Sequence, residues 1–167
     1  MNIEIISIGG LKEPWLREAE KEYSKRLSSY VKLSIVELNE KRLPPGAGEA
    51  EEEIVRKGEG EALLARAGKT GNKDRTGNTF VYALDPRGKQ MTSEEFSKDI
   101  AGLALQGKSN LIFLIGGSLG LPETVRQKAD RVLSFSEMTF PYQLMRIILL
   151  EQIYRAWKIQ RGETYHK

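Results

Sequence analysis

The segment Asn110-Leu-Ile-Phe-Leu-Ile-Gly-Gly-Ser-Leu-Gly-Leu-Pro122 constrains the fold more than any other part of the chain. Its first half is almost continuously apolar, which suits a strand buried on both faces of a parallel sheet. Such a strand needs helices above and below it, and its neighbours must be reached by helical crossovers. It ends directly in Gly116-Gly117, a break that makes a turn rather than more strand. A second loop, Leu133-Ser-Phe-Ser-Glu-Met-Thr-Phe-Pro141, follows another short strand, and a long helix comes after it. Open α/β sheets bind ligands outside the carboxyl ends of their strands, so two such loops side by side point to an enzyme.

The rest of the chain alternates in the same way. Strands are predicted at Ile3–Ile8, Val31–Leu38, Thr79–Leu84, Asn110–Ile115 and Arg131–Ser134. Between them lie helices over Trp15–Ser28, Glu49–Ala67, from a Thr92 or Ser93 cap to Gln106, a short one opened by Pro122, and Tyr142–Arg161. Gly68 to Asn78 reads as a polar loop and Asp85-Pro86-Arg87-Gly88 as a turn. The expected architecture is α/β, a mostly parallel sheet with helices on both faces. At 167 residues, with no repeat or linker, it is expected to be one domain over 1–167.

Composition removes several chemistries. The chain has no cysteine and a single histidine, so thiolate nucleophiles, disulfides and a transition-metal site are not expected. No apolar run approaches the roughly 18 residues of a membrane span. The N-terminus has no basic region of a signal peptide, and a cytoplasmic location is expected. A formal net charge of +3 permits a phosphate-rich partner without demanding one.

Gly102-Leu-Ala-Leu-Gln-Gly107-Lys108-Ser109 matches the phosphate-loop pattern letter for letter. That loop works only between a strand and the N-terminus of a helix, where N–H groups and the dipole face the phosphates. Here the order is reversed. A helix C-terminus presents carbonyls and repels phosphate, so a glycine-terminated helix is the expected structure.

Three groups of residues remain as carriers of chemistry. The loop from Phe135 to Phe140 mixes hydroxyls and backbone amides with apolar rings, which suits a flat heteroaromatic ligand as well as it suits a self-packed loop. The last helix is apolar on more than one face, and a second subunit is the expected cover for the side away from the sheet. Glu151 and Arg155 stand at i, i+4; alone, this spacing gives a surface ion pair worth a few tenths of a kcal/mol. His166, next to last, reads from composition alone as an idle terminal histidine.

Ile115-Gly-Gly-Ser-Leu-Gly120, Leu133-Ser-Phe-Ser-Glu-Met-Thr-Phe-Pro141, Glu151-Gln-Ile-Tyr-Arg-Ala156 and Tyr165-His-Lys167 together resemble the ribosomal RNA large subunit methyltransferase H family. These are small SPOUT-type enzymes that methylate a pseudouridine of 23S rRNA. Glu22-Tyr-Ser-Lys-Arg-Leu27, Gly58-Glu-Gly-Glu61 and Leu84-Asp-Pro-Arg-Gly-Lys89 extend the resemblance through the chain. It implies a C-terminal trefoil knot, an architecture that connection rules alone would exclude. It implies S-adenosyl-L-methionine as cofactor, held by Leu84, Gly116, Phe135, Ser136, Glu137, Met138, Thr139 and Phe140. It also implies a homodimer in which one subunit's tail closes over the other's cofactor.

By the same resemblance the substrate is N3 of a pseudouridine (the 1915 position) on assembled ribosomes. His166 is then the expected general base with Glu151 in reserve, because only imidazole titrates near neutrality unaided. Arg155 is expected to stabilise an imide anion, and Tyr165 to stack on the base. One position departs from the family: Tyr142 stands where histidine is usual, and a positioning role is expected for it. Two alternatives are weighed beside this reading. One is a non-catalytic ribosome- or RNA-binding module of the same fold. The other is a phosphohydrolase using Lys108 and Ser109.

Overall fold

The computed structural model describes residues 1–68 and 77–165. Its elements in chain order are β1 (Asn2–Ile8), α1 (Pro14–Leu27), β2 (Lys32–Leu38), α2 (Glu49–Ala67), β3 (Thr79–Gln90), α3 (Ser93–Leu105), β4 (Asn110–Ile115), α4 (Glu123–Lys128), β5 (Arg131–Ser134) and α5 (Tyr142–Gln160). The strands form one five-stranded sheet in the order β2-β1-β4-β3-β5, and every pairing is parallel. The apolar strand β4 sits at its centre. Most of the predicted loop 68–78 lies outside the described residues.

The sheet is covered on both sides, and the pleat decides which residue goes where. Ile3 and Ile5 of β1 join Leu111, Phe113 and Ile115 of β4 in a core shared with α1, α3 and α5. Ile6 and Ile8 turn to the opposite face with Ile112 and Leu114, where α2 and α4 cover them through Leu63, Leu64 and Val125. This alternation is the period of two of an extended chain. On the first face Tyr82 stacks on Phe113 with ring centroids 4.8 Å apart, and its hydroxyl donates to Asp99 at 2.5 Å.

Helix ends follow local chemistry. Thr92 caps α3 by accepting from the Glu95 N–H, while the Glu95 carboxylate accepts from the Thr92 N–H. The phosphate-loop lookalike lies where its surroundings place it. α3 ends at Leu105, Gly107 follows with φ +80°, and Lys108 Nζ donates to the Gly77 carbonyl at 2.7 Å. The lysine therefore ties two surface segments together at a helix C-terminus.

One expectation needs revision. The predicted turn at Asp85–Gly88 does not reverse the chain. β3 continues to Gln90, and both Leu84 and Lys89 pair with Leu133 of β5, so the intervening residues bulge out of a single strand. Turn-forming residues serve a bulge equally well, because both need unpaired backbone. Asp85 stabilises it locally by accepting from the Arg87 N–H at 3.0 Å. Helix α5 packs against α1 and α3, burying Ile147, Leu149, Leu150, Ile153 and Trp157, while Leu144, Met145 and Ile148 stay half-buried.

Two mid-helix glycines give opposite expectations. A Cβ on Gly60 of α2 would lie 2.3 Å from Pro122 Cγ and 3.1 Å from Val125 Cγ2. The gain in helix propensity, about 1 kcal/mol, is outweighed by overpacking that costs about 1–3 kcal/mol. Gly60→Ala should therefore lower stability in chemical unfolding. Gly102 of α3 has no neighbour within 4 Å of its Cβ position, so Gly102→Ala should raise stability by about 0.5–1 kcal/mol. Equal effects of the two substitutions would show that α2 is not pressed onto Pro122.

Candidate active site

A cavity of about 590 Å³ opens at the carboxyl ends of β3, β4 and β5. Its walls are the bulge of β3 (Leu84, Asp85), the glycine loop after β4, the loop after β5, and the first turns of α5. Of the residues singled out from sequence, Leu84, Gly116, Phe135, Ser136, Met138, Thr139 and Phe140 all line it. Glu137 is not among the lining residues; it lies exposed on the same loop.

The two loops hold their shapes through short polar contacts. After β4, the Gly120 N–H donates to the Gly117 carbonyl at 3.1 Å, and Gly120 takes φ +72°. A Cβ on Gly116 would fall 2.8 Å from the Gly120 carbonyl carbon, so the loop closes only because Gly116 has none. After β5, Ser134 Oγ donates to the Ser136 carbonyl at 2.9 Å, and Ser136 Oγ accepts from the Met138 N–H at 3.0 Å. Serine hydroxyls thus shape the loop.

Sequence reasoning missed Asp85, Tyr142 and Met145 as walls. Tyr142 and Met145 carried a signal, an i, i+3 pair opening the helix that leaves the second loop. Asp85 was hidden inside the mistaken turn. Its carboxylate is buried and held by Arg87 at 2.7 and 2.8 Å, with Arg126 at 3.5 Å. Burial opposes its charge, but Arg87 and Arg126 keep its pKa below the ordinary carboxylate value. The Tyr142 ring lies against Gly9, whose Cβ would stand 2.8 Å from the phenol oxygen. That hydroxyl is buried beside Gly9, with Glu40 and Gln143 as its polar neighbours. Burial, and then the charge of Glu40, raises its pKa.

The remaining predicted residues gather elsewhere. At the far end of α5, Glu151 Oε1 accepts from Arg155 at 2.5 and 2.9 Å and from the Tyr165 hydroxyl at 3.2 Å. The Arg155 guanidinium lies 4.9 Å from the centroid of the Tyr165 ring, which meets Tyr154 edge-on at the same distance. The pair is therefore part of a partly buried three-residue cluster, which a lone surface ion pair is not. Burial, and then Tyr23 and Glu151, raises the Tyr165 pKa. His166 lies outside the described residues. From Met145, the last wall residue on α5, to Glu151 and Arg155 the helix rises about 9 and 15 Å, so within one chain this cluster stands beyond the cavity wall.

Among the described residues no three acidic, histidine or cysteine side chains are grouped to hold a metal ion. None of the described helices is long and apolar enough to cross a membrane.

Residues 1–166 match the family model described as "Predicted SPOUT methyltransferase". The chain is 53% identical over 167 residues to the ribosomal RNA large subunit methyltransferase H of Clostridium novyi (strain NT), covering all of both chains. It is 49% identical to that of Clostridium kluyveri (strain NBRC 12016) and 52% identical to that of Clostridium botulinum (strain Okra / Type B1), again over the whole of each. With its parallel sheet, its cavity at the strand ends and this match along its length, the chain belongs to the SPOUT methyltransferase family, within the ribosomal RNA large subunit methyltransferase H group.

Proposed function

We propose that this chain is an S-adenosyl-L-methionine-dependent methyltransferase that modifies N3 of a pseudouridine in 23S rRNA, at the 1915 position, on assembled ribosomes in the cytoplasm. It acts as a homodimer of one-domain subunits spanning 1–167, with the loop after β5 and helix α5 forming a trefoil knot. The relatives' shared name supports large-subunit rRNA as the substrate class.

The cavity suits an adenosyl cofactor. Its walls supply the apolar faces of Leu84, Ile115, Leu133 and Phe135 for a flat ring, with Ser118, Ser136, Thr139 and Asp85 as polar residues among them. When bound, the cofactor supplies an electrophilic methyl group on a sulfonium. The protein's task is then alignment, which contributes roughly 7–11 kcal/mol when a near-attack geometry is held.

A single observation carries the dimer reading: the separation of cavity and cluster along α5. Methyl transfer needs reacting atoms within about 3–3.5 Å, and along α5 the cluster's Glu151 and Arg155 stand about 9 and 15 Å beyond Met145, the last wall residue on the helix. A partner's cluster placed over this cavity completes the site. There His166 removes the imide proton, Glu151 holds Arg155, Arg155 faces the developing imide anion, and Tyr165 packs against the base.

The decisive assay is transfer of labelled methyl to ribosomes lacking the modification, with identification of the labelled nucleotide. Label on a pseudouridine N3 is expected. Absence of label from folded, dimeric protein that still binds ribosomes would favour the non-catalytic module, and Tyr142→His would then be the variant to test for recovery. His166→Ala should abolish transfer while cofactor binding survives, and unchanged turnover would remove His166 from the mechanism.

Gly116→Val should weaken cofactor binding, because its side chain would force the glycine loop apart at Gly120. Gly116→Val and Arg155→Ala dimers should each be inactive, one lacking a cavity and the other a competent cluster. Mixing the two chains should restore about a quarter of parental activity, since half the dimers are mixed and each has one intact site. No recovery from verified mixed dimers would show that cavity and cluster act within one chain.

A further inference from the structure

Helix α2 grips the glycine loop from outside. Arg56 Nε donates to the Leu119 carbonyl at 3.1 Å, and Gly60 packs on Pro122. Between these two contacts lies Glu59, a carboxylate only 4% exposed. Its Oε1 accepts from the Lys41 N–H at 3.0 Å. Its Oε2 lies 3.3 Å from the point a Cβ on Gly117 would occupy, and Gly117 is a wall of the cavity. The Ile8 side chain shares this approach, with its Cγ2 at 2.9 Å from the same point.

Among the described residues, no ammonium or guanidinium lies within ion-pair distance of Glu59. Lys41 donates its backbone N–H while its side chain runs over Gly58. Asp85, the other buried carboxylate at the cavity, differs because Arg87 and Arg126 cancel its charge. Burial raises the Glu59 pKa above the ordinary carboxylate value. A carboxyl whose pKa is higher in the folded state makes folding less favourable as pH climbs past the unfolded value. Burial thus opposes the charge on this carboxyl, as is common where a group serves binding.

We propose that Glu59 selects for positive charge in the cavity, favouring a cationic methyl donor over the neutral product left after transfer. The inference rests on the cofactor reading above. Transfer leaves the carbon–sulfur bonding pair on sulfur and turns a sulfonium into an uncharged thioether. A fixed negative charge behind Gly117 attracts the first and is indifferent to the second. The residue would therefore promote exchange of spent product for fresh donor. It contributes through the wall's electrostatics, outside the reacting atoms.

Isothermal titration of S-adenosylmethionine and S-adenosylhomocysteine into the unaltered protein and Glu59→Gln tests this. Glutamine keeps the acceptor for Lys41 and removes the charge, so the variant should melt at or above the parent at pH 8. Donor affinity should fall by about five- to tenfold, the size of one partly screened charge several ångströms away, while product affinity is unchanged. Glu59→Met, which drops both charge and acceptor, should give the same shift in the donor-to-product ratio. An unchanged ratio in either variant, including equal loss for both ligands, would overturn the proposal and leave Glu59 a loop support. Binding of neither ligand by the unaltered protein would overturn the cofactor reading itself.

Discussion

The buried guanidinium of Arg146 joins the parts of this molecule that the site depends on. It is 2% exposed, one turn along α5 from Tyr142, and it reaches three other elements. It donates to Ser7 of β1 at 3.0 Å and to Glu37 of β2 at 2.7 Å, and pairs with Glu20 of α1 at 2.9 Å. Two carboxylates share this one buried guanidinium, so its charge stays compensated only while α1 and β2 hold their places beside α5. The geometry of the network also fixes the entry of α5. Because Tyr142 and Met145 are walls of the cavity, a helix free to slide by one turn would displace them by about 5 Å. Apolar contacts with α1 and α3 hold α5 down, but they tolerate sliding better than a forked guanidinium does.

Much of the fold was legible because its strands and helices obey the two simplest periodicities. β4 reads as a doubly buried strand, and its neighbours pair with it in parallel register. What was illegible depends on partners distant in sequence. Asp85–Gly88 has turn composition, and only pairing of Leu84 and Lys89 with the same Leu133 makes it a bulge. Local composition cannot distinguish these outcomes. Likewise the contacts α5 makes with α1 and α3 depend on residues far earlier in the chain, which its own apolar pattern does not name.

The site divides along the same line. Loop residues 135–140 and Gly116 were found because each follows a strand, and Glu137 alone among them turned away from the cavity. Tyr142 was noticed only as a departure from a family pattern, whereas its role as a wall comes from Gly9, whose missing side chain makes room for the phenol ring. Glu59 carried no signal beyond a place in a resembling motif. Its importance lies in a juxtaposition with Gly117 across 58 positions of sequence, visible only once α2 is laid on the glycine loop.

Helix α5 acts as a spacer between two incomplete chemistries. At its N-terminus it contributes Tyr142 and Met145 to a cavity with largely apolar walls. Toward its C-terminus it presents a carboxylate, a guanidinium and a phenol in mutual contact. Because the helix is rigid, the proposed reaction joins the two halves only if a second chain brings its cluster to this cavity. On that proposal activity follows mass action, because subunits that separate on dilution lose the site before they lose the fold.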